Sequence, residues 1–205
     1  MSLLVASHDR RTMHAAFREA VLADARVTAA HRPSEIRGIK ADGKRISARA
    51  GAWARVLRLA WESDTFLALM LYRAKARLQS LGVPVLPRLI HRLTMALAQV
   101  SIGDPVVVQP GVYLLHGQVV IDGVVEISGD TVIGPFVTIG LVTGDVIGPT
   151  IGRGVRVGTG AKILGPLQVG AGAVIGANSV VLSDVPAGAT AVGVPAHIVA
   201  SKTGS

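Results

Sequence analysis

The chain contains no cysteine. Disulfide stapling and thiolate catalysis are excluded, and the composition suits a reducing compartment. Aromatics are scarce, seven in 205 residues with five of them before residue 101. That scarcity removes the alternating aromatic and basic side chains on which single-stranded nucleic acid stacks. No apolar run reaches about 18 residues, so no membrane-spanning helix is expected. The start, Met1-Ser2-Leu3-Leu4-Val5-Ala6-Ser7-His8-Asp9-Arg10, has no basic region ahead of an apolar one and does not read as a secretory signal. The expected location is cytoplasmic. Negative charge is short in the first half only. Residues 1–100 carry 17 Lys and Arg against 7 Asp and Glu, net +10, whereas residues 101–205 carry 4 against 6, net −2. The basic half reads as a solvated helix surface rather than a nucleic-acid or membrane face.

What the second half does contain is a period. Thirteen aliphatic residues recur at a spacing of six with two interruptions: Ile102, Val108, Leu114, then Ile121, Ile127, Ile133, Ile139, then Ile151, Val157, Ile163, Val169, Ile175 and Val181. Seven are followed by glycine, at Gly103, Gly134, Gly140, Gly152, Gly158, Gly170 and Gly176. A fixed short period means stacked equivalent units and overrides local helix or strand propensity. A side of about six residues holds one short strand and one tight corner, and three sides make a coil of about 18 residues. Coils stack about 4.8 Å apart. The branched aliphatic points inward, and the glycine beside it is expected to supply corner dihedrals that a Cβ resists. The register from residue 102 to about 183 predicts four or five coils.

Composition shifts near residue 100, where 20 of the 24 glycines begin. The expected organisation is a helical and linker extension over 1–50, an α-helical region over 51–100, the coiled domain over 101–184, and an exit and tail over 185–205. Residues 12–30 read as an amphipathic helix, and 34–50, polar and glycine-punctuated, as a linker. Residues 52–80 read as one helix stopped by Gly82. Leu57, Ala60, Trp61, Asp64, Leu67, Ala68, Leu71, Ala74 and Leu78 recur at helical spacing and form its stripe, with Arg55, Arg58, Arg73 and Arg77 off that face. Pro84 and Pro87 open a further helix to about Ala98. The stripe reads as a packing or oligomer face.

The two interruptions mark the places to look for chemistry, because a loop leaving a regular wall often carries function. Leu114 to Ile121 is seven residues, and Ile139 to Ile151 is twelve. His116 lies in the first gap, and an imidazole can act as a general base near neutral pH. From the bare residue alone, an ordinary corner histidine held by a carbonyl is the favoured reading. No further histidines stand at metal-ligand spacing, so no zinc site is expected. Ser101, Ser128, Ser179 and Ser183 sit in no nucleophile-elbow pattern.

Five stretches add a resemblance: Val112-Tyr113-Leu114-Leu115-His116-Gly117, Val137-Thr138-Ile139-Gly140, Gly158-Thr159-Gly160-Ala161-Lys162-Ile163-Leu164-Gly165, Ile175-Gly176-Ala177-Asn178-Ser179-Val180-Val181, and Gly193-Val194-Pro195-Ala196. Through them residues 84–199 resemble the serine O-acetyltransferase branch of the hexapeptide-repeat acyltransferases. The resemblance implies a mainly β chain: a left-handed parallel β-helix of hexapeptide repeats preceded by an α-helical N-terminal segment. It implies homotrimers with active sites between neighbouring prisms, and leaves open whether the N-terminal helices join them into a dimer of trimers. It implies acetyl-CoA as the acyl-donor cosubstrate, no metal, and direct transfer to a hydroxyl with His116 as the catalytic base. Gly140, Thr159, Ala177, Asn178 and Lys202 are the cofactor-binding residues it implies. Thr159 and Ala177 would line the pantetheine channel and Lys202 would meet CoA phosphates. The thioester oxyanion would find backbone N–H donors near the wall at 137–140.

Departures from the family pattern sharpen the expectation. The position of the aspartate that partners the catalytic histidine is Ser101, with Asp104 and Asp122 as candidate substitutes. The second family histidine is Gly148. The aspartate and arginine that clamp an amino acid are Leu115 and Ile147. A zwitterion buried there without counter-charges would cost several kcal/mol. The expected acceptor is therefore a sugar or other small hydroxyl compound rather than free serine. The tail lacks the terminal isoleucine through which family members engage cysteine synthase, so no such complex is expected. The alternative is a scaffold that kept the prism and lost the chemistry. A γ-type carbonic anhydrase, built on the same prism, is ruled out by its need for three histidines.

Overall fold

The structure, a computed structural model, describes residues 10–31 and 48–201. The linker reading of 34–47, the last residues of the tail and Lys202 lie outside the described residues. Among the described residues four helices precede the β domain: α1 (Arg10–His31), α2 (Ala48–Glu62), α3 (Asp64–Ser80) and α4 (Leu86–Ala98). Residues 48–50, expected in the linker, are helical.

The thirteen aliphatics fold into three walls. The first stacks β1 (Val100–Ile102), β4 (Val119–Ile121), β7 (Thr138–Gly140), β10 (Lys162–Leu164) and β13 (Val180–Val181). The second stacks β2 (Val107–Val108), β5 (Val124–Ile127), β8 (Ile147–Ile151) and β11 (Gln168–Val169). The third stacks β3 (Tyr113–Leu114), β6 (Val132–Ile133), β9 (Arg156–Val157), β12 (Val174–Ile175) and β14 (Ala189–Gly193), closed by β15 (Ala196–Ser201). Every pairing is parallel except β14 with β15. Ile102, Ile121, Ile139, Ile163 and Val181 form one inward column, in register from coil to coil. All thirteen are buried. A second inward set, two residues earlier, was not read from the sequence: Val106, Val112, Val119, Val125, Val137, Val155, Ala161, Leu167 and Ala173 are also buried. Each side of the prism thus buries two residues.

The glycines after the aliphatics serve a different purpose from the one expected. None of the seven has a positive φ. Instead the next coil lies too close for a side chain. A Cβ at Gly134, Gly152, Gly158 or Gly170 would come within 2.8, 2.6, 2.6 and 2.3 Å of the backbone nitrogens of Thr159, Ala171, Ala177 and Ala187. The left-handed residues fall later in each corner. Between the second and third walls they are Gly111, Asp130, Gly154, Gly172 and Gly188, and between the third and first walls Gln118, Phe136, Gly160 and Asn178.

The lowest coil has no coil beneath it, and its open edge is covered by α3. Tyr72 Oη donates to Val106 O at 2.8 Å and accepts from Val108 N–H at 3.2 Å. Arg73 donates to Val108 O and, at 2.9 Å, to Gln109 O. Lys75 Nζ donates to Ile102 O at 2.7 Å and pairs with Asp104 at 3.1 Å. From α1, Asp24 accepts from Gly111 N–H at 2.8 Å and pairs with Arg73 at 3.2 Å. A helix thus hydrogen-bonds the strand edge that would otherwise invite another chain. This corrects the helical stripe. Leu57 and Trp61 are exposed, while Tyr72, Arg73 and Lys75 are buried. The long helix is also broken at Ser63, whose Oγ accepts from Phe66 N–H at 3.4 Å and caps α3. Burial pushes the Asp24 carboxyl pKa up, against the pull of Arg73 and of the Gly111 N–H. Among the described residues no helix is long and apolar enough to cross a membrane.

Candidate active site

The corner that carries His116 is built differently from those above it. In the standard corner between the third and first walls, two residues separate the last inward aliphatic from the left-handed residue: Gly134-Pro135 before Phe136, Gly158-Thr159 before Gly160, Gly176-Ala177 before Asn178. In the lowest corner three residues do so, Leu115-His116-Gly117 before Gln118. The seven-residue spacing in the sequence is this extra residue. The flanks of the corner keep their coil contacts: Leu115 N–H donates to Ile133 O at 2.9 Å and Gln118 N–H to Gln99 O at 2.7 Å. The extra length therefore bulges outward and carries His116 with it. Gly117 is required there, since a Cβ would lie 2.2 Å from Ala98 O.

His116 is exposed, and among the described residues its ring has no hydrogen-bond partner. Ser101, at the family's aspartate position, lies one coil below on the outward face of the first wall, in register with Val120, and makes no hydrogen bond to the imidazole. The two candidate substitutes stand at the opposite edge of that wall. Asp104 is engaged by Lys75, whose hydrogen bond holds its carboxyl below the usual carboxylate range. Asp122 accepts from the Gly123 N–H at 2.9 Å. Neither aspartate orients His116 within its own protomer.

Thr159, Ala177 and Asn178 lie on the same prism edge as His116, in successive corners above it. Gly140 does not. It ends β7 at the far edge of the first wall, paired with Leu164. That far edge also carries the second interruption, residues 141–146, and Ile147. Leu115 is 40% and Ile147 53% exposed. Gly148 is buried, and a Cβ there would come within 2.4 Å of the Val125 side chain. The position that resembles the second family histidine therefore has no room for one. Sequence reasoning missed Phe136, which occupies the corner directly above His116 in the left-handed conformation at φ 60° and is 53% exposed. Its position in the hexad register was the available signal.

Residues 148–183 match the family model described as bacterial transferase hexapeptide (six repeats). A serine acetyltransferase of Helicobacter pylori is 39% identical over 136 residues, which cover 64% of this chain and 79% of that protein. The chain belongs to the serine acetyltransferase family. The Synechococcus elongatus serine acetyltransferase is 40% identical over 138 residues, 65% of this chain. The match spans 56% of that protein and 54% of a Synechocystis serine acetyltransferase, about half the length of each. Among solved structures, a serine acetyltransferase in complex with CoA aligns with a TM-score of 0.72 at 27% identity, covering 92% of this chain and 72% of that one. A soybean serine acetyltransferase complexed with serine aligns with a TM-score of 0.71 at 30% identity, covering 90% and 70%. The prism is the left-handed β-helix of this family.

Proposed function

We propose that the chain is an acetyl-CoA-dependent O-acetyltransferase in which His116 is the general base. The observation that carries this reading is the exposed His116 ring, unpartnered among the described residues, at the foot of an edge whose higher corners present Thr159 and Ala177. The CoA complex of a structural relative supports the same donor. The acceptor hydroxyl oxygen attacks the thioester carbonyl carbon while its proton passes to the imidazole. The carbonyl π electrons move onto oxygen. Collapse of that oxyanion breaks the C–S bond, and the imidazolium proton goes to the departing thiolate. The products are an acetyl ester and CoA thiol, with no covalent enzyme intermediate. Thr159 and Ala177 leave room for the pantetheine arm and Asn178 borders it. Gly140, on the opposite edge of the first wall, reaches it only from a neighbouring copy, and Lys202 meets the CoA phosphates.

The acceptor in this proposal is a neutral hydroxyl compound such as a sugar, although the relatives are named for serine. Leu115 and Ile147, at the positions of the family's charged clamp, offer a zwitterion no counter-charge. They stand at opposite edges of the first wall, so one site holds both only if a neighbouring copy supplies one edge. A homotrimer fits that requirement. The exposed Leu86, Leu89, Leu93 and Leu97 on α4 support self-association through the helical region as well. Thiol release from acetyl-CoA across serine, sugars and nucleotide sugars tests the reading. We expect turnover with a neutral hydroxyl compound at a higher kcat/KM than with serine. A preference for serine would overturn the acceptor assignment, and no turnover with any acceptor would favour a non-catalytic scaffold.

A further inference from the structure

The bulged corner leaves its mark on the coil above. At each left-handed corner residue the backbone N–H donates down the stack to a carbonyl of the preceding coil. Between the second and third walls, Asp130 donates to Gly111, Gly154 to Gly129, Gly172 to Arg153 and Gly188 to Ala171, at 2.8–3.1 Å. Between the third and first walls, Gln118 donates to Gln99, Gly160 to Pro135 and Asn178 to Thr159, at 2.7–2.8 Å. Gly111, in the lowest coil, donates instead to the Asp24 carboxylate, and among the described corner residues Phe136 alone has an N–H without a partner. By register its acceptor would be the Gly117 carbonyl, which belongs to the corner that the extra residue pushes outward.

The direction of this unused donor is fixed. The Pro135 carbonyl, in the same peptide unit as the Phe136 N–H, accepts from Gly160 N–H in the coil above at 2.8 Å. In a trans peptide the C=O and N–H point in opposite directions. The Phe136 N–H therefore points down, towards the corner that carries His116. The next peptide is anchored too, because Lys162 Nζ donates to Phe136 O at 2.7 Å. In the adjoining wall β7 pairs on both sides, and Thr138 N–H donates to Ala161 O at 3.0 Å. A bulky side chain at φ 60° is costly, and such conformations persist where surrounding structure enforces them.

We propose that the Phe136 backbone N–H, released from the coil ladder by the extra residue beside His116, is the oxyanion donor of the acetyl-transfer reaction. This rests on the acetyltransferase reading above and adds its electrophilic half. One insertion would then do two things: it carries the base outward and frees a rigid donor aimed at the same space. Because the donor is held before substrate arrives, it stabilises the developing oxyanion without reorganisation.

The test replaces the N–H by oxygen. Phenyllactate placed at position 136 by nonsense suppression swaps that amide for an ester and leaves the side chain in place. Phenylalanine placed by the same suppression is the control. We expect kcat to fall by about 10²–10³-fold, the range for loss of one oxyanion donor. The KM for acetyl-CoA, the oligomeric state and the far-UV circular dichroism should match the control. A kcat within about threefold of the control in a folded ester variant would overturn the proposal. Failure of the acetyltransferase reading would appear separately, as absence of turnover in the control itself. If the ester variant does not fold or the control does not turn over, a crystal structure of the wild-type chain with the ketone analogue acetonyl-dethio-CoA decides. A carbonyl oxygen about 3 Å from the Phe136 nitrogen supports the assignment. An oxygen held elsewhere, or no binding of the analogue, contradicts it.

Discussion

The base of the prism and the His116 corner handle the same difficulty in opposite ways. Both are places where the coil-to-coil ladder is interrupted. At the base the open edge is engaged from the helices: Asp24, Tyr72, Arg73 and Lys75 reach to the Ile102, Val106, Val108, Gln109 and Gly111 backbone. At the His116 corner the interruption is left open, with a ring and a neighbouring N–H unpartnered among the described residues. A buried polar group without a partner costs about 1–3 kcal/mol, so open groups persist where they face solvent or a ligand. The difference separates closure of the fold from provision of a site, and it makes the two regions separable by mutation.

The largest expected effect breaks the base. Arg73→Met leaves Asp24 buried without its cation, and two carbonyls lose a donor. We expect a loss of about 3–5 kcal/mol in denaturant unfolding, with acetyl transfer per folded molecule unchanged. Activity falling in proportion to no measurable unfolding would show that the two regions are coupled. A middle-sized effect sharpens the account of the stack itself. Gly158→Ala forces a methyl against the Ala177 backbone nitrogen, at 2.6 Å, and should cost about 1–3 kcal/mol. Gly154 has open space around its Cβ position and a φ of +69°, so Gly154→Ala should cost only about 1 kcal/mol. Equal losses would contradict close approach as the reason for the hexad glycines.

The smallest effect concerns His91 on α4. Burial, reinforced by Lys75, lowers its pKa, against the pull of Asp104 and Asp122. The folded chain therefore binds this proton less readily than the unfolded chain, whose histidine titrates near about 6.5. Stability is lost as the pH falls below that value. His91→Gln should flatten the decline in Tm between pH 7.5 and pH 5.5 slightly, and an unchanged slope would show that His91 does not contribute.

Much of the prism was legible because its inward residues recur at a fixed spacing set by the side length. The register break at Leu114–Ile121 marked the His116 corner for the same reason: a period makes one extra residue visible. The base was not legible. Its pairs join residues 27 to 87 positions apart, and no local pattern links Asp24 to Gly111 or Lys75 to Ile102. Arg73 looked like a solvent-facing helix residue because its partner is a strand edge rather than an apolar core. The hexad glycines were visible, but their purpose depends on the distance to the next coil, which sequence does not contain. The unused Phe136 N–H was hidden for a related reason, since it is the absence of a backbone bond and leaves no trace in residue type.

The most direct test compares thiol release from acetyl-CoA by the wild-type chain and by His116→Ala under the same acceptor. The account predicts a fall on the order of 10²–10⁴-fold, the usual contribution of a positioned general base, with unfolding free energy changed by no more than about 0.5 kcal/mol. Wild-type turnover in a folded His116→Ala protein would contradict it.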